Sequence, residues 1–116
     1  VKAAILKDGI VINRDKPWHI ESNLSLRGEK IRRLPESLGD LIIDGDLLLQ
    51  KNQLTSLPKN FGNLTVGGNL SLYGNQLTSL PENFGSLTVG GDLSLHDNQL
   101  TSLPESFPNV GGNVYH

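Results

Sequence analysis

Along the chain Leu87, Val89, Gly91, Leu93 and Leu95 alternate with Thr88, Gly90, Asp92, Ser94 and His96. This is the period-two alternation of half-buried strands, broken by a Gly-Gly corner, and it predicts two short strands. The same spacing occurs from Leu64 to Tyr73 and, less regularly, from Leu41 to Gln50. The period is 23 residues, with copies starting at Glu29, Asn52 and Asn75 and an incomplete one at Asn98. The copies from Asn52 and Asn75 agree at 18 of 23 positions. Trp18 to Gly28 reads as the second half of a further unit, with Trp18 in the Leu64 column and Ile20 in the Val66 column. A regular repeat of this length predicts stacked units, because one unit cannot bury its apolar face alone.

Each unit also carries a proline, at Pro35, Pro58, Pro81 and Pro104. Its fixed φ and missing N–H suit an extended return stretch better than a helix interior. Three residues later Leu38, Phe61, Phe84 or Phe107 points back to the core. Stacking places Leu47, Leu70, Leu93 and Val114 in one buried column and Leu49, Leu72 and Leu95 in the next. Asn52, Asn75 and Asn98 follow the last strand leucine, where the chain bends and leaves backbone groups without ladder partners. An amide side chain carries both an acceptor and two donors, so this column is expected to satisfy the buried turn. Glu29 takes the same position in the first coil and is expected to be more exposed.

Before the repeats, "AAILKDGIVI" reads as a β-hairpin around Asp8 and Gly9. The expected organisation is a hairpin cap over residues 1–16 and a solenoid over 17–116, made of a half coil, three full repeats and one incomplete repeat. Composition agrees with frequent turns and a leucine core: 13 glycines, 5% aromatic residues and no cysteine. Without cysteine there are no disulfides, thiolate metal sites or thiol nucleophiles. No apolar run approaches the length of a membrane span, and Lys7 and Asp8 interrupt the first apolar stretch before it can act as a signal segment. The chain therefore reads as soluble. The lack of methionine implies an initiator removed ahead of Val1 or a piece of a longer protein. All ten Lys and Arg lie at or before Lys59, against eight acids there, while the remainder holds four acids and no base. The two parts carry +2 and −4, a dipolar distribution that argues against a general nucleic-acid binder.

The strings "LSLYGNQLTSLP" and "LSLHDNQLTSLP" resemble bacterial leucine-rich repeat proteins, and are most similar to the LP-containing repeats of enterobacterial secreted effectors and related phage proteins. The resemblance covers about Trp18 to His116. It implies a right-handed, β-rich superhelix with little helix, whose parallel strands line a concave face that binds a protein. It leaves the compartment open between the bacterial cytoplasm and delivery to a host cell. The Gly-Gly pair, the 23-residue unit and the N-terminal hairpin depart from that effector pattern. Some members carry a ubiquitin-ligase domain with a catalytic cysteine, an activity this cysteine-free chain cannot hold.

The five differences between the two most similar copies include Asn69/Asp92, Tyr73/His96, Gly74/Asp97 and Lys59/Glu82. Three of them flank the outward face of the second strand. The expected recognition strip is Arg27, Leu48, Gln50, Ser71, Tyr73, Ser94, His96 and Tyr115, rich in the Tyr and Arg that dominate binding energies. A plain solvated strand face is the competing reading. Five strands about 4.8 Å apart and five residues about 3.3 Å apart give a footprint on the order of 300 Å². That is below the roughly 800 Å² each partner gives to a standard interface, so the strip alone suits a peptide or a weak partner.

His19, His96 and His116 lack metal-ligand spacing, and "GGDLSLHD" lacks the nine-residue period of calcium-binding glycine-rich repeats. No metal or cofactor is expected. Arg27, Lys30, Arg32 and Arg33 can meet an acidic partner or form a solvated face near Glu29 and Glu36. The Asn-X-Ser/Thr sequons at Asn23, Asn63 and Asn69 fall in positions the repeat already explains. No catalytic triad, phosphate loop or isolated carboxylate pair stands apart from the repeat, so no enzymatic activity is expected. Trp18, in a core leucine's column, is expected to pack against the cap. The rival to a binding module is a structural element that self-associates through an open C-terminal coil, where Val110 and Val114 lie beside unpaired strand edges.

Overall fold

The structure, a computed structural model, describes residues 3–6, 9–12, 18–21, 23–34, 38–39, 41–101 and 108–116. Strands β1 (Ala3–Leu6) and β2 (Gly9–Ile12) pair antiparallel, Ala3 opposite Ile12 and Leu6 opposite Gly9. Of the expected Asp8-Gly9 hairpin centre, Gly9 lies in β2, while Lys7 and Asp8, the expected boundary between Lys16 and Pro17, and Pro35, Pro104 and Phe107 lie outside the described residues.

The remaining strands come two to a coil: β3 (Trp18–Ile20) and β4 (Leu24–Ser25), β5 (Leu41–Ile43) and β6 (Leu47–Leu48), β7 (Thr65–Val66) and β8 (Leu70–Ser71), β9 (Thr88–Val89) and β10 (Leu93–Ser94), β11 (Asn109–Val110) and β12 (Val114–Tyr115). The first strands of the coils form one five-stranded parallel sheet and the second strands another. A turn at Gly67-Gly68 or Gly90-Gly91 joins them. Leu24, Leu47, Leu70, Leu93 and Val114 share one register. Each coil advances 23 residues except the last, in which Thr88 pairs with Asn109 and Leu93 with Val114, an advance of 21. There "FPNV" replaces "FGSLTV", and buried Pro108 precedes β11 as Leu87 precedes β9.

The core is this stack of leucines. Leu26, Leu49 and Leu72 are fully buried, and so are Leu47, Leu70 and Leu93. On the return side Phe61 and Phe84 are fully enclosed, their rings parallel within 5° and 6.3 Å apart. The return is not extended throughout, as the prolines suggest. Pro81 is extended (φ −67°, ψ 156°), but 3-10 helices follow at Phe61–Asn63 and Glu82–Ser86. The Phe61 N–H donates to the Pro58 carbonyl and the Phe84 N–H to the Pro81 carbonyl, both at 3.0 Å. That turn swings each phenyl ring inward.

The asparagine column behaves as its chemistry requires. Asn75 Nδ2 donates to the Leu72 carbonyl of its own coil (2.9 Å) and the Leu49 carbonyl of the coil before (3.1 Å), while Oδ1 accepts the Leu54 N–H (3.2 Å). Asn52 and Asn98 repeat the pattern. Glu29, in the same column, is exposed.

A second ladder runs along the edge of the Gly-Gly corner. Asn23 Oδ1 accepts the Asp46 N–H (2.7 Å), Asp46 Oδ1 the Asn69 N–H, Asn69 Oδ1 the Asp92 N–H and Asp92 Oδ1 the Asn113 N–H, the last three at 2.8 Å. Only Asn or Asp places an acceptor at this reach, so the Asn69/Asp92 difference keeps one hydrogen bond in two charge states. The column alternates strictly, which keeps any two carboxylates two coils apart. The glycines make room for it: a Cβ on Gly91 would lie 2.2 Å from Asn69 Oδ1, and one on Gly90 would lie 2.1 Å from the Gly67 carbonyl oxygen.

Two measurements check this arrangement. Leu72→Ala removes a side chain on which both neighbouring coils rest and is expected to destabilise by about 2–5 kcal/mol in urea denaturation; a loss under about 1 kcal/mol would contradict the stack. Asn69→Asp sets three carboxylates in a row at about 4.8 Å. At roughly 1 kcal/mol per adjacent pair in water, it should lose about 1–2 kcal/mol at low ionic strength and recover most of that in high salt. Asp92→Asn should lose nothing comparable.

Candidate functional site

The second sheet presents two adjacent columns. Ser25, Leu48, Ser71, Ser94 and Tyr115 share a register. Two residues further along each coil come Arg27, Gln50, Tyr73 and His96. Backbone pairing continues beyond the strands to hold that second column: the N–H groups of Gly28, Lys51 and Gly74 donate to the carbonyls of Gln50, Tyr73 and His96 at 3.1, 3.0 and 3.2 Å. The positions of these side chains are therefore set by the ladder.

Tyr73 and His96 stack face to face, with ring centroids 4.7 Å apart and planes within 6°. Arg27, Gln50 and Tyr73, with Gly28 and Lys51, line a surface cavity of about 300 Å³. His96 lines a separate cavity of about 260 Å³ with Leu95, Asp97, Asn98, Leu100 and His116. The Tyr73-His96 stack thus separates the two. Leu48 and Ser94 are half-buried in the adjoining column, and Tyr115 is exposed at its end, its hydroxyl accepting from Asn113 Nδ2 (3.2 Å).

Two members of the expected strip are more enclosed than outward strand positions usually are: Gln50 is 6% and Ser71 7% exposed. Coils about 4.8 Å apart leave a short or central side chain shaded by its neighbours, here Arg27 and Tyr73 for Gln50, Leu48 and Ser94 for Ser71. Among the described residues Gln50 Oε1 and His96 Nδ1 are buried atoms without a hydrogen-bond partner.

The residues flanking the strip carry a backbone signal that sequence reading missed. Gly28, Lys51, Gly74 and Asp97 form one column, and all four have positive φ, at 67°, 60°, 70° and 57°. Glycine takes this region freely and Asp tolerates it, whereas a lysine is strained there. The Gly74/Asp97 difference is thus governed by a left-handed turn, and Asn69/Asp92 by the corner ladder. Of the changed letters on this face, Tyr73/His96 is the one that neither explains. The charges divide along the column, Arg27 and Lys51 at one end and Asp97 at the other.

No group of three His, Asp or Glu side chains suited to a metal ion occurs among the described residues. No described helix is long and apolar enough to cross a membrane.

Lys51→Gly gives a direct check of the left-handed column. Relief of the strained backbone is worth about 1–2 kcal/mol, against about 0.4–1 kcal/mol of extra unfolded-chain entropy for glycine. The net expectation is a gain of about 0.5–1 kcal/mol and a higher Tm by calorimetry; a lower Tm would count against the backbone assignment.

The Leucine Rich Repeat family model matches residues 69–87, from the residue before β8 to the residue before β9. No curated protein matches the chain. Leucine-rich repeats as a class serve protein–protein interaction. The match and the two stacked parallel sheets together define the fold as a β-rich leucine-rich repeat solenoid.

Proposed function

We propose that this solenoid is a non-enzymatic protein-binding module and that a protein partner is recognised on the face of the second sheet, taken as the concave side. Arg27, Leu48, Gln50, Ser71, Tyr73, Ser94, His96 and Tyr115 are the residues expected to meet it. The observation that carries the reading is the stacked Tyr73-His96 pair, which sits on a hydrogen-bonded ladder between two cavities. Flat aromatic groups held rigid before binding lose little conformational freedom on contact. The small footprint suits an extended segment of the partner better than a broad flat surface.

A second reading keeps the fold and changes the partner. In the sheet order β11 and β12 are terminal strands, and Val110 and Val114 are only half-buried. A strand edge accepts another strand, from a further coil or from a second copy, and the charge division along the chain favours a second copy placed head to tail.

One set of proteins separates these readings. Tyr73→Ala and His96→Ala, each verified by circular dichroism to be folded, are expected to weaken partner binding by about 1–2 kcal/mol or more, as aromatic hot-spot truncations do; unchanged affinity in both would remove the strip. Concentration-dependent mass in light scattering, reduced by Val114→Lys, would instead support self-association.

A further inference from the structure

We propose that the cavity formed by Arg27, Gly28, Gln50, Lys51 and Tyr73 is an anchoring subsite that takes a carboxylate side chain of an acidic partner segment together with a hydrogen-bond donor from the same segment. The assignment rests on the protein-binding reading of this face and names the chemistry of the partner there.

Three features of the cavity converge on it. Gln50 is more than nine-tenths buried, and its Oε1 has no hydrogen-bond partner among the described residues. An enclosed acceptor without a donor retains its full desolvation penalty, and the penalty disappears when the Gln50 amide turns toward the cavity and meets a partner's N–H. Next to it, Lys51 occupies a left-handed backbone position whose equivalents one coil away on either side are Gly28 and Gly74. Two consecutive residues therefore depart from the locally stable choice, and both line one cavity; Lys30 has the same positive φ, 59°, without lining it. Such breaks in local consistency are expected where a binding partner completes the structure.

The third feature is the lining itself, which holds two cations and no carboxylate. Arg27 offers a planar fork that pairs with a carboxylate side-on, and Lys51 offers a point charge beside it. Tyr73, fixed against His96, forms a flat apolar wall for the methylene groups of a glutamate. Free phosphate fits less well, because it has no methylene stem for the Tyr73 ring to cover. A peptide carries acceptor oxygens and backbone N–H donors on one chain.

The test is a titration of the 116-residue chain, followed by backbone amide NMR, with acetyl-hexaglutamate amide, acetyl-hexaglutamine amide and inorganic phosphate. Hexaglutamate is expected to shift the Arg27, Gly28, Gln50, Lys51 and Tyr73 amides, and the other two probes to leave them in place. Lys51→Gly should weaken hexaglutamate about threefold to fivefold, the range of an exposed ion pair. Gln50→Leu should weaken it about fivefold to tenfold. Both variants should melt a few degrees higher than the parent. Lost affinity joined to raised stability cannot come from misfolding.

Equal shifts with phosphate and hexaglutamate, or shifts confined to Lys30, Arg32 and Arg33, would overturn the subsite in favour of simple charge attraction. No response to hexaglutamate, with partner binding still abolished by Tyr73→Ala, would overturn the subsite and leave the wider face standing. Partner binding unaffected by Tyr73→Ala and His96→Ala would overturn the face itself, whatever the peptide does.

Discussion

The parallel hydrogen-bond ladder between coils is the constraint from which the rest of this structure follows. It fixes equivalent backbones about 4.8 Å apart, closer than most side chains allow where the chain turns. At the corner the answer is a pair of glycines, because a Cβ there would meet the carbonyl or the Oδ1 of the coil before. At the end of the second strand the answer is asparagine, whose amide bonds carbonyls in its own coil and the previous one. On the return side a 3-10 turn lowers a phenyl ring onto the leucine column. Each repeated letter is thus a local solution to one spacing.

That spacing also determines what a sequence reader can recover. The leucines of the strand columns, the phenylalanines at positions 61 and 84 and the buried asparagines are legible because a dry, crowded site admits few residue types, and the same letter returns every coil. Asn69 and Asp92 look like variation on an open face, yet they share the one atom that matters, an Oδ1 aimed at the next N–H. Gly74 and Asp97 look equally unlike, and what they share is a backbone dihedral. The 3-10 turns leave no periodicity, since three to five residues are too few to carry one. The enclosure of Gln50 is invisible in sequence because it depends on Arg27 and Tyr73, neighbours in space only after the coils have stacked.

The face and the core consequently follow different rules. Core positions repeat, satisfy their hydrogen bonds and settle the fold. The Arg27-Gln50-Tyr73-His96 column changes at every coil, includes two buried polar atoms without partners and adjoins a strained lysine. Its backbone is nevertheless as firmly paired as the strands beside it. Rigid support beneath unsatisfied chemistry is the physical basis for reading this column as a contact surface, and it places four different side chains at fixed, regular intervals along one line.

The corner ladder has a bearing on how such a chain lengthens. Its acceptors alternate between neutral and charged from Asn23 to Asn113. Copying a single 23-residue coil that carries aspartate would set two negative groups side by side, whereas copying two consecutive coils preserves the neutral spacer between them. The two most similar coils, from Asn52 and from Asn75, are nevertheless direct neighbours, so a single added coil escapes this repulsion by exchanging aspartate for asparagine, which keeps the hydrogen bond and drops the charge.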